Sequence, residues 1–171
     1  MKRIALIAAL LCTFGIVSAQ NIRYKGMVDY GTSYAPWDHQ TYGMLTTSHG
    51  ISIADRYFVG LGVGMQGIVR PYVDGAADYA GLLAFAEFKY NLPLNDRTGL
   101  TAQVAGGAVD FALPYAEAAI GLRFPSDGRQ ALNLLLFGDY VGPQRHLSDA
   151  EPDEIFYINP SSFGLRLSLE F

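Results

Sequence analysis

From residue 22 onward apolar side chains recur at every second position, and period two is the mark of a strand with two unlike faces. The last segment shows it most clearly. Phe163, Leu165, Leu167, Leu169 and Phe171 take one face, and Gly164, Arg166, Ser168 and Glu170 the other. The first segment sets Ile22, Tyr24, Val28 and Tyr30 against Arg23, Lys25 and Asp29. In between, Tyr57, Val59, Leu61, Val63 and Met65 oppose Gly60, Gly62, Gly64 and Gln66, and Leu82, Ala84, Ala86, Phe88 and Tyr90 oppose Glu87 and Lys89. Farther on, Ala116, Ala118, Ile120, Leu122 and Phe124 oppose Glu117, Gly121 and Arg123, while Leu132, Leu134, Leu136 and Tyr140 oppose Asn133 and Asp139. Segments 41–53 and 98–111 alternate less cleanly, so the pattern leaves their phase open.

The pattern predicts eight strands, at 22–34, 41–53, 57–69, 81–92, 98–111, 114–124, 131–141 and 161–171. An even number places both chain ends on one side of a closed sheet. The second, fourth and sixth connections are short and share Asp55-Arg56, Asp96-Arg97 and Asp127-Gly128-Arg129. The aspartate suits a turn, since its carboxylate can bond the backbone two residues on. The first, third and seventh connections are longer, with 142–160 the longest, while the fifth, around Ala112 and Leu113, is tight.

The segment ahead of these strands reads differently. Lys2 and Arg3 precede an apolar run over residues 4–12, continued through Val17 and closing on Val17-Ser18-Ala19, the pattern of an export signal cleaved before Gln20. Residues 1–19 are therefore expected to be a signal peptide and 20–171 one barrel domain, a length that leaves no room for a separate catalytic module. The only cysteine, Cys12, lies in the signal, so disulfides, thiolate metal sites and cysteine nucleophiles are not expected of the mature chain. The 19 glycines of the full sequence argue against a helical bundle. Without Lys2 and Arg3, ten basic residues face sixteen acidic ones, and with no basic run nucleic acid is not an expected partner.

Alternation alone does not say which face is inside, and three observations choose. The polar face carries Asp29, Glu87, Glu117, Asp139 and Glu170 against Arg23, Lys25, Lys89, Arg123 and Arg166. That balance suits an enclosed interior, where an unpaired ion costs several kcal/mol. Gly60, Gly62, Gly64 and Gly121 on the same face leave room for those long side chains, in a barrel whose interior is just wide enough to be filled. Aromatic residues fall at both ends. Tyr24, Tyr57, Tyr90, Phe124 and Phe171 sit toward the short turns, and Tyr34, Tyr42, Tyr140 and Phe163 toward the long loops, as the two interfaces of a bilayer favour. The expected fold is an all-β, eight-stranded antiparallel up-and-down transmembrane barrel. Its charged interior is Arg23, Lys25, Asp29, Glu87, Lys89, Glu117, Arg123, Asp139, Arg166 and Glu170.

With those residues in view, the chain from Ile22 to Phe171 resembles the small eight-stranded outer-membrane barrels of Gram-negative bacteria, the group of the OmpA transmembrane domain and OmpX-like proteins. Two segments carry the resemblance. One is the run from Thr47-Ser48-His49-Gly50 through Asp55-Arg56 into Tyr57-Phe58-Val59-Gly60-Leu61-Gly62. The other is the terminal alternation ending on Phe171. The resemblance implies an outer-membrane location, short turns in the periplasm and long loops outside. It further implies that Phe163, Leu165, Leu167, Leu169 and Phe171 form the signal read by the barrel-assembly machinery. Outer-membrane lipid and lipopolysaccharide are the implied surroundings.

Candidate chemistry weighs little against this. Asp149, Glu151, Asp153 and Glu154, with Asp38, Asp74, Asp78 and Asp110, make the long-loop side acidic against Arg70 and Arg145. Hard oxygen ligands suit calcium, but Pro152 interrupts the spacing and no calcium-loop frame exists. A solvated acidic surface that contacts a partner is the reading taken. His146 and Ser148, with Glu151 or Glu154 near, resemble the His-x-Ser pairing of lipid A deacylases, themselves eight-stranded, but fall in a loop where that family uses a strand. His39 and His49 stand alone, without a partner at metal spacing. Glu87 and Glu117 read as salt-bridge partners of the nearby Lys89 and Arg123, and Gly60-Leu61-Gly62-Val63-Gly64 lies within a strand with no helix after it to bind phosphate. The expectation is a non-enzymatic outer-membrane barrel without cofactor, metal or catalytic residues. A lipid-modifying barrel enzyme is the alternative, and a soluble barrel around an apolar ligand the third reading.

Overall fold

The computed structural model describes residues 22–36, 39–69, 80–126, 130–142, 144–147, 155–158 and 161–171. Strands β1 (Ile22–Ala35), β2 (Gln40–Ile53), β3 (Tyr57–Ile68), β4 (Ala80–Pro93), β5 (Gly99–Val109), β6 (Leu113–Pro125), β7 (Ala131–Val141) and β10 (Ser162–Glu170) form one closed barrel. Each pairs antiparallel with its neighbours, and β1 closes on β10. Every predicted strand is present, with ends displaced by two residues at most. Two further strands, β8 (Gln144–Leu147) and β9 (Ile155–Ile158), pair with each other as a hairpin in the seventh connection, where the pattern predicted only a loop. Their four-residue length gives too little alternation to register. The expected signal peptide lies outside the described residues.

The strands are steeply staggered. Starting at Tyr24 and stepping through the paired residues Ile51, Val59, Phe88, Val104, Ala118, Gly138 and Phe163, one circuit returns to β1 at Tyr34 rather than at Tyr24. A ten-residue offset over eight strands requires tilted strands, and it places side chains at one level of the barrel on different register rows.

Outward positions are apolar almost throughout: Leu45, Val59, Leu61, Val63, Met65, Val104, Ile120, Leu136, Leu165 and Leu167 are all exposed. Inward positions divide. Toward the long-loop end lies an apolar cluster of Met44, Leu83, Phe85, Val109, Tyr115, Leu135, Phe137 and Val141, and toward the short-turn end the lumen is polar. The two strands of open phase resolve here, with Tyr42, Met44, Thr46 and Ser48 inward in β2 and Thr101 and Gln103 inward in β5. Tyr42 is therefore removed from the outer aromatic ring. Its side chain is buried in the lumen, while Tyr34, Tyr140 and Phe163 stay outside. Gly60 and Gly62 make room, but not for charged chains. A Cβ on Gly62 would lie 2.3 Å from the Phe85 ring and one on Gly60 2.5 Å from the Phe58 ring, so these glycines seat inward-facing aromatic rings.

The turn after β2 shows how the short connections close. Arg56 N donates to Ile53 O at 3.1 Å, and the two central residues Ala54 and Asp55 both have φ of 54°, as a type I′ turn demands. Asp110 and Phe111 repeat the arrangement in the fifth connection, with Ala112 N donating to Val109 O. In the fourth connection this bonding is made by Asn95 rather than Asp96, its Oδ1 accepting from the amides of Arg97 and Thr98, while Asp127, Gly128 and Arg129 of the sixth lie outside the described residues. A side chain at left-handed φ costs roughly 1–2 kcal/mol, partly offset by the entropy that glycine loses on folding. Ala54→Gly should therefore raise the unfolding free energy by about 0.5–1 kcal/mol. Its urea midpoint, followed by far-ultraviolet circular dichroism, checks this, and an unchanged or lower midpoint would contradict it.

Candidate functional site

The lumen gathers the charged side chains of five strands into two groups at different depths. Nearer the short turns, Glu170 of β10 sits at the centre of three bases. Its Oε2 lies 3.0 Å from both Lys25 Nζ and Arg123 Nη2, and its Oε1 lies 3.6 Å from Lys89 Nζ and accepts from Asn133 Nδ2 at 2.9 Å. Lys89 is also 2.7 Å from Met27 Sδ. Three bases thus surround one acid, an excess of two positive charges among these four residues.

The second group lies farther along the same strands toward the long loops. Arg166 donates from both terminal nitrogens to the two carboxylate oxygens of Glu117, with 2.7 Å from Nη1 to Oε1, and its guanidinium stacks 4.5 Å above the Phe137 ring. Tyr115 Oη donates to Glu117 Oε2 at 2.5 Å. The other three acids of this group have polar partners only: Asp139 accepts from Ser162 N and Oγ at 2.9 and 2.6 Å, Asp29 from Thr46 Oγ1 at 3.3 Å, and Glu87 from Gln103 Nε2 at 2.8 Å. Four acids here share one base.

Arg23 stands outside both groups. It sits on the inward side of β1 but so close to the barrel's end that its side chain is 57% exposed, 3.9 Å from Asp55 of the first short turn. The interior therefore holds five acids and four bases among the described residues. The charge equality read from the sequence fails by this one residue, because facing inward at a strand's first turn is not the same as being enclosed. The pairing also differs from the expectation. Lys89 and Arg123 meet Glu170 rather than Glu87 and Glu117, because the ten-residue stagger brings β10 to their level.

The short-turn half of the lumen carries further polar atoms. Ser52 Oγ, Asn91 Oδ1, Thr101 Oγ1, Asn133 Oδ1 and Ser168 Oγ are buried without a hydrogen-bond partner among the described residues, the pattern of a hydrated interior. This half opens into a cavity of about 610 Å³ at the short-turn mouth, lined among others by Arg23, Lys25, Arg123, Asp55, Asp96 and Phe171. The apolar cluster lies in the opposite half.

The arrangement has a counterpart among solved structures. Neisserial surface protein A superposes with a TM-score of 0.59 at 12% identity, over 87% of this chain and 95% of that one, a likeness of fold. No protein-family model matches the chain, and no curated protein matches it.

The remaining candidates take these positions. Phe163, Leu165, Leu167, Leu169 and Phe171 all face outward, and Phe171 carries the β1–β10 pairing one residue beyond Glu170, exchanging N–H to O bonds of 2.9 Å with Gly26. A Cβ on Gly26 would lie 2.6 Å from the Phe171 ring, so this glycine forms the slot that the ring covers. His49 packs edge-on to the same ring and stacks on Tyr24, whose Oη lies 2.5 Å from Nδ1. His39 bonds Tyr34 Oη at 2.9 Å. Both histidines thus have hydrogen-bond partners, and no cluster of three or more His, Cys, Asp or Glu able to hold a metal is found among the described residues. His146 lies on β8, outside the barrel sheet, and Ser148, Glu151 and Glu154 lie outside the described residues. The other loop acids, Asp38, Asp74, Asp78, Asp149 and Asp153, lie outside them as well, whereas Asp110 accepts from Leu82 N at 2.7 Å.

Proposed function

We propose that this chain is an integral outer-membrane barrel that contacts the cell surroundings through its acidic long loops and performs no catalysis. One observation carries the reading. The wall is inverted relative to a water-soluble barrel, with leucine, valine and isoleucine exposed around its outside and lysine, arginine and glutamate buried within. Exposing so much contiguous apolar surface to water is the signature of an aggregating or lipid-embedded face, and a closed sheet leaves no backbone edge unpaired in lipid. Exposed Tyr24, Tyr57, Phe124 and Phe171 at one end and Tyr34, Tyr140 and Phe163 at the other match the two interfacial belts of such barrels. In this reading the short turns face the periplasm, lipid and lipopolysaccharide surround the wall, and the outward β10 residues ending on Phe171 serve as the assembly signal. The apolar cluster at the loop end argues against an aqueous channel, which usually takes sixteen or more strands.

Expression of the full chain in a Gram-negative host followed by fractionation tests the reading. The protein should pellet with the outer membrane, resist carbonate extraction and need detergent to dissolve. Recovery in the soluble periplasmic fraction would overturn it in favour of a soluble barrel. The surface role is tested by capture from whole-cell surroundings with the 142–160 connection intact and deleted, where equal capture by both would remove the loop contact.

A further inference from the structure

We propose that the short-turn mouth of the barrel binds a small zwitterion that enters oxyanion first, with Lys25 and Arg123 taking the oxyanion and Asp55 and Asp96 facing its ammonium end. The cavity of about 610 Å³ at this mouth is large enough for such a molecule, and its charges are ordered by depth. At the bottom, the side chains of Lys25 and Arg123 are 8% and 16% exposed, and Lys89 lies behind them. At the rim, the Arg23 and Asp55 side chains are each 57% exposed, and Asp96 is exposed on the second short turn.

Donor capacity points the same way. Glu170 is saturated, since its two oxygens already face Lys25, Arg123, Lys89 and Asn133. Arg123 spends Nε and Nη2 on that carboxylate, and its Nη1 has no hydrogen bond to a described residue. Lys25 carries three donors, of which Glu170 takes one. Two cations at the floor of an open cavity therefore retain N–H groups, and the local excess of positive charge calls for an oxygen anion, which arginine's fork and lysine's ammonium both suit.

The rim decides between a plain anion and a zwitterion. Asp55 and Asp96 outnumber Arg23 there by one negative charge, while the floor carries two positive ones, so the described mouth is polarised along its depth. A multiply charged anion meets opposing charge on the way in. A molecule whose ammonium trails its oxyanion meets complementary charge at both ends. Because the rim is solvated, its share is small and sets preference, whereas the more buried floor sets binding. Asp127 and Arg129 of the third short turn lie outside the described residues and have opposite charges.

The test is a nuclear magnetic resonance titration of the isotope-labelled, folded full chain in uncharged maltoside micelles, using O-phosphoethanolamine, inorganic phosphate and ethanolamine separately. O-phosphoethanolamine should give saturable shifts at the amides of Lys25, Arg123 and Phe171. Phosphate should do so about fivefold more weakly, and ethanolamine not at all. Arg123→Gln should abolish saturation, and Asp55→Asn with Asp96→Asn should bring the first two ligands to equal affinity. The absence of saturable shifts, or shifts confined to the long loops or outer wall, would overturn the site on the unsubstituted protein alone, whether or not Arg123→Gln folds. Phosphate binding as tightly as O-phosphoethanolamine would overturn the zwitterion assignment. Repeating the spectra in phosphatidylethanolamine and phosphatidylglycerol bilayers distinguishes the source. Mouth shifts present without added solute only in the former assign a lipid headgroup, and shifts appearing only on titration assign a dissolved molecule. A soluble periplasmic location would sink the membrane reading yet leave this titration unaffected, so the two fail separately.

Discussion

Replacing Glu170 by glutamine is expected to lower the unfolding free energy by about 3–5 kcal/mol, because it strips the single acid from a buried group of three bases. The substitution preserves shape but removes the charge and turns one of two accepting oxygens into an N–H donor that faces other donors. Lys25 and Arg123 each lie 3.0 Å from the Glu170 carboxylate and Lys89 3.6 Å, and without it all three face one another at the largely buried floor of the mouth. The same reasoning fixes the opposite outcome for Lys89→Met. Lys89 is the most buried of the three, holds the longest contact and contributes to an excess of positive charge, so an apolar side chain of similar size should cost less than about 1 kcal/mol or stabilise. Urea unfolding in lipid vesicles, followed by circular dichroism, measures both. A Glu170→Gln midpoint within about 1 kcal/mol of the parent, or a Lys89→Met loss as large as that of Glu170→Gln, would show that the group is so well hydrated that its charges are screened.

The contrast between these two substitutions also marks where sequence reading stops. Period two is a local property, fixed by the backbone pleat, so the strands, the short turns and, for six of the eight barrel strands, the division into two faces were legible in the sequence. The alternation of Phe163 to Phe171 puts Arg166 and Glu170 on one face, and the charge balance of that face turns it toward the lumen. Which lumen charges meet is not local. It depends on the stagger of ten residues around the barrel, and no feature of Glu87 or Glu117 announces that Lys89 and Arg123 pass them by for a carboxylate on the last strand. Arg23 shows a second limit, since its parity is right and its depth is wrong. The phases of β2 and β5 were hidden for a third reason. Serine, threonine, alanine and glycine differ too little in polarity to mark a face, and only closure of the sheet assigns Ser48 and Gln103 inward. The apolar cluster at the loop end was invisible because the reading treated the inner face as polar throughout, whereas Leu83, Phe85 and Phe137 break the alternation by being apolar on both faces of their strands. The mouth was missed with it, since the deep bases and rim acids come from turns and strand ends far apart in sequence.

Arg166→Met should cost a further test of the same physics, at the other depth of the lumen. Arg166 is the one base in a group with Glu117, Asp29, Glu87 and Asp139, and it holds Glu117 through a two-point contact while stacking on Phe137. Methionine keeps the apolar contact with the ring but leaves the Glu117 carboxylate buried with only Tyr115 as donor, and a loss of about 3–5 kcal/mol is expected. Glu117→Gln alone leaves a buried guanidinium short of its acceptor and should lose a comparable amount. The pair of substitutions together should not lose the sum. With both charges gone, glutamine still accepts from Tyr115 Oη, and the double variant should recover at least about 2 kcal/mol relative to additivity, the coupling expected of directly bonded groups. Unfolding midpoints of the four proteins give that coupling directly. Losses that add to within about 0.5 kcal/mol would mean that Arg166 and Glu117 act independently, and that the loop-side group owes its stability to the surrounding Phe85, Leu135 and Phe137 packing instead.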